Sequence, residues 1–253
     1  ITRMPVLDGN HRIVGLHLAE ALIGNLCLDN IAVIMAGGKG ERLKPLTDEI
    51  PKPMMKVAGH PILEHIILHL SASGIRTIYI AVNYLADVIE NYFKDGSMFG
   101  CSIHYLREKN PLGTAGALSL LPEKSRFPIF VVNGDLITHF DVQAMLHYHQ
   151  KSKNIMTIGI HDYIQSIPYG VIDVNGTGVV SIYEKPEKHY NINGGIYIIE
   201  PELIDTVPDE NTFQMTEFIN NTINNKQKVG VHLIEGSWID VGEHSDLKIA
   251  QGR

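Results

Sequence analysis

The chain has 253 residues, 44% of them hydrophobic and 19% charged, with 21 Lys+Arg against 28 Asp+Glu and a formal net charge of -7. That length can bury one substantial core, and an α/β domain of this size need not split in two. The acidic balance argues against nucleic-acid or anionic-membrane partners over the whole surface, while a local phosphate site stays open.

The chain opens at Ile1 without a methionine, which reads as a piece cut from something longer. Met4-Pro5-Val6-Leu7, the turn residues Asp8-Gly9-Asn10, and Arg12-Ile13-Val14-Gly15-Leu16 predict a hairpin. Leu18 to Ile23 then reads as the start of a helix. One hairpin and one helix bury too little to stand as a domain.

From Ile31 the pattern becomes regular. Ile31 to Met35 is a continuous apolar run, as in strands buried on both faces. Pro61 to Ser73 carries Ile62, Leu63, Ile66, Ile67 and Leu70 at helical spacing. Strands are predicted at Thr77–Val82, Ser102–Leu106 and Ile129–Val132. Helices are predicted at Leu85–Phe93 and Ala115–Leu121, and at Asp141–Lys151 with Asp141 as cap. This alternation predicts a mostly parallel sheet covered on both faces. After about residue 155 the strands crowd together: Ile155–Ile160, Gly170–Val174, Val179–Tyr183 and Gly195–Glu200, with Asn175-Gly176 as a hairpin turn. A helix near Glu217–Asn224, a strand near Val229–Ile234 and a helix near His244–Ala250 close the chain.

No apolar run reaches the roughly 20 residues of a membrane helix, and no basic-then-apolar leader is present. The two cysteines, Cys27 and Cys101, are too few for a disulfide framework and suit a reducing, cytoplasmic setting.

The chemistry begins after the Ile31 strand, at Ala36-Gly37-Gly38-Lys39-Gly40-Glu41-Arg42-Leu43-Lys44-Pro45-Leu46-Thr47. A Gly-rich turn after a strand offers backbone N–H groups to a phosphate. It is not a Walker loop, and Leu43 stands where a dinucleotide fingerprint needs Gly or Ala, which argues against an NAD-dependent oxidoreductase. In Pro51-Lys52-Pro53 the stiffened backbone can aim the ammonium. Five cations between Ala36 and Lys56 (Lys39, Arg42, Lys44, Lys52, Lys56) face three anions (Glu41, Asp48, Glu49), a local excess of positive charge.

Ala36 to Pro53 resembles the signature of the sugar-phosphate nucleotidyltransferases (nucleotide-sugar pyrophosphorylases), A-G-G-x-G-x-R-L-x-P-L-T followed by P-K-P. The resemblance covers most of Ile31 to Ala250 and is strongest to the mannose-1-phosphate guanylyltransferases. It implies a three-layer, Rossmann-like α/β fold with a mixed, mostly parallel sheet and a smaller β-rich sugar-binding part. It also implies a reaction: nucleoside triphosphate plus sugar-1-phosphate gives nucleotide-sugar plus pyrophosphate, with Mg²⁺. Ala36, Gly37, Gly38 and Gly40 would hold the triphosphate, with Arg42 and Lys52 catalytic. Glu108 to Gly116 resembles the base-reading segment, with Glu108, Gly113 and Thr114 on the nucleotide. A carboxylate is acceptor-only and suits the two adjacent donors of guanine, which favours GTP. Val131 to Asp135 ends a strand with a carboxylate, where ligands bind in open α/β sheets. Trp238-Ile239-Asp240-Val241-Gly242 resembles the second metal-binding segment, so Asp135 and Asp240 would hold Mg²⁺. Gly170, Glu184, Lys185, Asn193 and Gly194 fall in segments resembling the sugar-phosphate site. Taken singly, each Asp reads as a turn or cap residue and each sugar segment as an ordinary strand end.

Thirteen histidines are present. His65 and His69 are four apart on a helix, but no third ligand accompanies them, and a solvated face is expected. His147 and His149 do not share a face, and Cys101 reads as an inert thiol. Met4 to Leu16 resembles the closing hairpin of a cystathionine-β-synthase-type (CBS) domain, which implies a CBS remnant over 1–28 and leaves 29–253 as the nucleotidyltransferase domain. Other readings remain: a thymidylyl-, uridylyl- or cytidylyltransferase, or a non-catalytic sensor of nucleotide-sugars. The sequence is compatible with a homo-oligomer.

Overall fold

The computed structural model describes residues 3–7, 13–18, 27–209 and 211–252. Strands β1 (Arg3–Leu7) and β2 (Ile13–Leu18) pair antiparallel, as the hairpin reading expects. The turn between them lies outside the described residues. The helix expected from Leu18 is corrected at its first residue, because Leu18 closes β2; residues 19–26 lie outside the described residues.

β3 (Leu28–Met35) is followed by two-residue strands β4 (Lys56–Val57) and β5 (His60–Pro61), then helix α1 (Ile62–Ala72), β6 (Ile75–Val82), α2 (Ala86–Phe93) and β7 (Ser102–Arg107). α3 (Gly113–Gly116), β8 (Ile129–Asn133), β9 (Leu136–Thr138), α4 (Val142–Ser152) and β10 (Met156–Ser166) come next. β11 (Val171–Asn175), β12 (Gly178–Tyr183), β13 (Glu187–Ile199), α5 (Pro201–Ile204), α6 (Met215–Asn224), β14 (Val229–Leu233), β15 (Trp238–Asp240) and α7 (His244–Ala250) complete the chain.

Seven strands form the central sheet in the order β14-β10-β13-β8-β3-β6-β7. β13 alone runs against its neighbours, so the sheet is mixed and mainly parallel. Strand periodicity sorts the core into two layers. Ala32 and Ile34 of β3 pack with Ile78, Ile80, Phe130 and Val132 beneath α1, α2 and α4. Val33, Val131 and Tyr197 face the other way, onto Leu203, Phe213, Met215 and Phe218. The result is the three-layer α/β fold the alternation predicts. Asp141 caps α4 through its Oδ1, which accepts from the Ala144 N–H at 2.9 Å. The helix expected over Ala115–Leu121 is instead a single α turn, α3, running into a 3₁₀ turn at Ala117–Leu120. Its two glycines disfavour a longer helix.

Past the core, β10 and β13 continue as a ladder from Ile160↔Asn193 to Ser166↔Glu187, carrying the β11–β12 hairpin at its end. Asn175-Gly176 makes that hairpin turn, with Gly176 at φ 62°. Among the described residues no helix is long and apolar enough to cross a membrane.

Candidate active site

The site lies where β3 and β8 end, because parallel strands deliver their C-terminal loops to one edge. Gly134 makes this edge tight: its N–H donates to the Met35 carbonyl at 2.9 Å. A cavity of about 220 Å³ opens there. Met35, Ala36, Gly37, Gly38, Lys52, Pro53, Glu108, Pro111, Gly113, Thr114, Asn133, Gly134 and Asp135 line it. The structure thus gathers most of the sequence-predicted nucleotide residues around one space.

Two contacts set the glycine loop. Gly40 sits at φ 63°, a left-handed value that glycine adopts without strain. A Cβ there would meet Thr47 Cγ2 at 2.9 Å and Lys52 Cβ at 3.1 Å. The buried Thr47 hydroxyl donates to the Gly40 carbonyl at 2.9 Å. Thr47 therefore fixes the loop, a role for which its place in the motif was the only sequence signal.

Lys52 stands on a 3₁₀ turn between two prolines, and its side chain is only 12% exposed. Its ammonium bonds Asp135 Oδ2 and lies 3.5 Å from Asp240 Oδ1. Antiparallel pairing of β9 with β15 brings the two carboxylates together: Asp240 is opposite Leu136, and the Val241 N–H donates to the Asp135 carbonyl at 3.0 Å. One buried oxygen on each, Asp135 Oδ1 and Asp240 Oδ1, makes no hydrogen bond. Burial, then the Asp135 charge, hold the Asp240 carboxyl above its usual range against the pull of Lys52. Two carboxylates on one ammonium, each with a buried oxygen that makes no hydrogen bond, fit a hard divalent ion that completes its shell with phosphate and water oxygens.

Arg42 reaches across to the Asp240 segment instead of lining the cavity. Its guanidinium lies against Gly242 and 3.7 Å from Glu243 Oε1, well exposed to solvent.

Glu108 is half-buried beside Gly37, where an added Cβ would sit 2.7 Å from Glu108 Oε1. Oε2 accepts from the Leu112 N–H at 2.8 Å, leaving Oε1 toward the cavity. Burial pushes this carboxyl above its ordinary range, and the Leu112 N–H opposes the shift. A folded pKa raised above the unfolded one favours the neutral acid; its stabilisation is present below the unfolded value and is lost as pH rises through the folded one. Glu108→Gln is therefore expected to match wild type in melting temperature near pH 4 and to exceed it at pH 7, read by calorimetry at both values.

Gly113 has φ 79°, and a Cβ there would be 2.7 Å from the Phe213 carbonyl. The Thr114 hydroxyl accepts from the Met215 N–H at 2.8 Å and donates to Gln214 Oε1 at 3.2 Å, so it caps α6. Gln214 was not anticipated, since 100 residues separate it from Thr114.

The sugar-segment residues divide. Asn193 Oδ1 accepts from the Gly195 N–H and the Tyr197 hydroxyl at 3.0 and 2.9 Å, and the Gly194 carbonyl accepts from Trp238 Nε1 at 2.9 Å. Gly170, Glu184 and Lys185 lie on the exposed hairpin arm and do not line the cavity. A Cβ on Gly170 would lie 3.1 Å from Glu184 Oε2, so these two are neighbours.

His65 and His69 each place Nε2 on a backbone carbonyl, Val57 at 2.9 Å and Phe140 at 2.8 Å. No cluster of three metal-ligating side chains occurs among the described residues. His149 is fully buried, with Nδ1 2.8 Å from Thr157 Oγ1 and Nε2 3.1 Å from Glu200 Oε1. Burial pushes the Cys101 thiol up to about 11, so it is inert at neutral pH.

The chain is similar in sequence to curated proteins. The chain is 33% identical over 232 residues to a Candida glabrata protein named mannose-1-phosphate guanyltransferase 2, covering 87% of this chain and 63% of that one. It is 32% identical over 222 residues to the mannose-1-phosphate guanylyltransferase of Mycobacterium tuberculosis, covering 85% and 62%. The chain thus spans less than two thirds of the length of these relatives. A Bacillus anthracis crystal structure described as a glucose-1-phosphate thymidylyltransferase superposes with a TM-score of 0.70 at 24% identity, covering 88% of this chain and 94% of that one, and shares the fold. Residues 31–252 match the nucleotidyl transferase family, and the chain belongs to it.

Proposed function

We propose that this chain transfers a nucleotidyl group from a nucleoside triphosphate to a sugar-1-phosphate, releasing pyrophosphate. The observation that carries the reading is Lys52, held between Asp135 and Asp240 at the edge of the glycine-loop cavity. An oxygen of the sugar phosphate attacks the α-phosphorus, and the bond to the leaving pyrophosphate breaks in line. No protein nucleophile is required, so catalysis is positioning plus charge neutralisation.

Backbone N–H groups of Gly37, Gly38 and Gly40 cradle the triphosphate, and Ala36, whose own N–H donates to the Ala81 carbonyl, lies against it. Lys52 neutralises charge at the α-phosphate, and Arg42 at the departing pyrophosphate. Asp135 and Asp240 would hold Mg²⁺, which when bound supplies further neutralisation of phosphate charge. Glu108 and the backbone at Gly113 read the base, with Thr114 fixing that segment against α6. Lys185 holds the sugar phosphate, and Glu184, Asn193, Gly170 and Gly194 meet the sugar.

The acceptor-only Glu108 and the names of the curated relatives favour GTP, with mannose-1-phosphate first and a hexosamine-1-phosphate second. The assignment of residues 1–28 to a CBS remnant and a cytoplasmic setting belong to the same reading.

A matrix of four nucleoside triphosphates against several sugar-1-phosphates tests it, with pyrophosphate release as the readout. Release with GTP and one hexose phosphate is expected. Preference for UTP, dTTP or CTP would overturn the guanylyl assignment. Binding of a nucleotide-sugar without turnover in either direction would make the chain a sensor.

A further inference from the structure

We infer that His161 is a positioning residue for Asp240, acting through Trp238; this deepens the nucleotidyl-transfer reading of the site and rests on it. β15 is three residues long and pairs along its length only with β9. So short a strand is weakly held by its backbone, and here it carries a carboxylate that shares one ammonium with a second carboxylate. The two like charges repel, and the Lys52 ammonium between them offsets that repulsion. The ladder, the Val241 N–H on the Asp135 carbonyl and Lys52 tie it to the Asp135 side; a side-chain hold ties it to β10 and β13.

Trp238 supplies that hold. It lies two residues before Asp240, on the same face of the strand. Its Nε1 donates to the Gly194 carbonyl at 2.9 Å. The backbone at Gly194 is closely packed, since a Cβ there would be 2.5 Å from Ile234 Cδ1 and 2.8 Å from the Gly159 carbonyl. The indole is thus tied to β13. His161, on β10, closes it from the side: the two rings stack with centroids 5.3 Å apart and planes 20° from parallel. β15 is therefore clamped to β10 and β13 through a single indole.

The chemistry of the clamp is specific. His161 Nδ1 is buried and makes no hydrogen bond among the described residues. Thr138, paired opposite Trp238, likewise keeps its buried Oγ1 unbonded. What His161 supplies to Trp238 is a flat face, so another flat ring should substitute for it.

Trp238 is the one tryptophan of the chain, so its fluorescence reports the clamp directly. Mn²⁺ serves as the metal probe, with binding followed by electron paramagnetic resonance on the full chain without substrates. His161→Ala is expected to shift the indole emission and weaken Mn²⁺ binding about tenfold, at the lower edge of the 10–100-fold range for groups that orient metal ligands. In turnover it should lower kcat while leaving the nucleotide KM within about twofold of wild type. His161→Phe should restore all three. Unchanged Mn²⁺ affinity in a folded His161→Ala chain would overturn the inference. So would a His161→Phe chain as impaired as His161→Ala, above all one with a raised sugar-phosphate KM, which would make His161 a ligand contact. A wild-type chain inactive with every substrate pair would overturn the proposed reaction alone, since emission and Mn²⁺ binding are read without it.

Discussion

Asp135→Asn is expected to lower turnover by about 10³-fold while the fold persists. The residue sits two positions past β8, whose first four residues are buried, and its carboxylate is the closer partner of Lys52. The substitution is nearly isosteric and removes a full negative charge. Lys52 keeps Asp240 at 3.5 Å, so no cation is left without a counter-charge. Repulsion between the two carboxylates is relieved, which offsets part of the lost ion pair. Catalysis has no such compensation. Asp135 acts through the cations it would hold at the phosphates, Lys52 and Mg²⁺; a preorganised positive group at such a centre contributes about 3–4 kcal/mol in comparable sites, and 4 kcal/mol is about 10³ in rate. The check is steady-state pyrophosphate release at saturating metal and substrates, with circular dichroism to establish folding. A rate within tenfold of wild type would remove Asp135 from the machinery.

Gly134→Ala should cost stability and activity together. The added Cβ would stand 2.7 Å from the Met35 carbonyl oxygen and 3.3 Å from Ala36 Cα. Both are backbone atoms, so no flexible side chain can swing aside. The ends of β3 and β8 must spread at the cavity edge. Overpacking of this kind costs about 1–3 kcal/mol, or roughly 2–12 °C in melting temperature for a chain of this size. The same spread displaces Asp135, the next residue, and a misplacement of about 1 Å can cost about 100-fold in rate. Gly38→Ala is the control, because nothing lies within 4 Å of a Cβ at Gly38. Its melting temperature should stay at the wild-type value. Equal stability of the two variants would refute the packing argument.

The legible parts of the fold were those with a local signal. The cores of β3 and β8, Ile31–Met35 and Ile129–Val132, are largely buried and read as continuous apolar runs. α1 shows its buried stripe, and Asn175-Gly176 announces its hairpin. The sequence predicts β10 and β13 over less than half their length. Beyond the core their residues turn polar or exposed, as at Asp162, Gln165 and Lys188, and only the ladder between them continues. The same limit applies to the site. The glycine loop and Lys52 lie within one short stretch, whose residue types carry the reading. The β9–β15 pairing that joins Asp135 to Asp240 spans more than a hundred residues and leaves no local trace. Gln214 against Thr114, and His161 against Trp238, are contacts of the same kind.

The ladder of β10 and β13 has a mechanical consequence. Its register slips between Ile158 and Ile160, opposite Gly194 and Gly195, where the strands leave the core. Bulged, glycine-rich ladder is where paired strands bend most readily. From Gly194 to Glu187 the arm extends by about 23 Å at roughly 3.3 Å per residue. A rotation of about 5° at its root moves the tip by about 2 Å, while the root itself shifts by far less. The β11–β12 end of the molecule is therefore compliant, and the carboxylates at the root stay stiff.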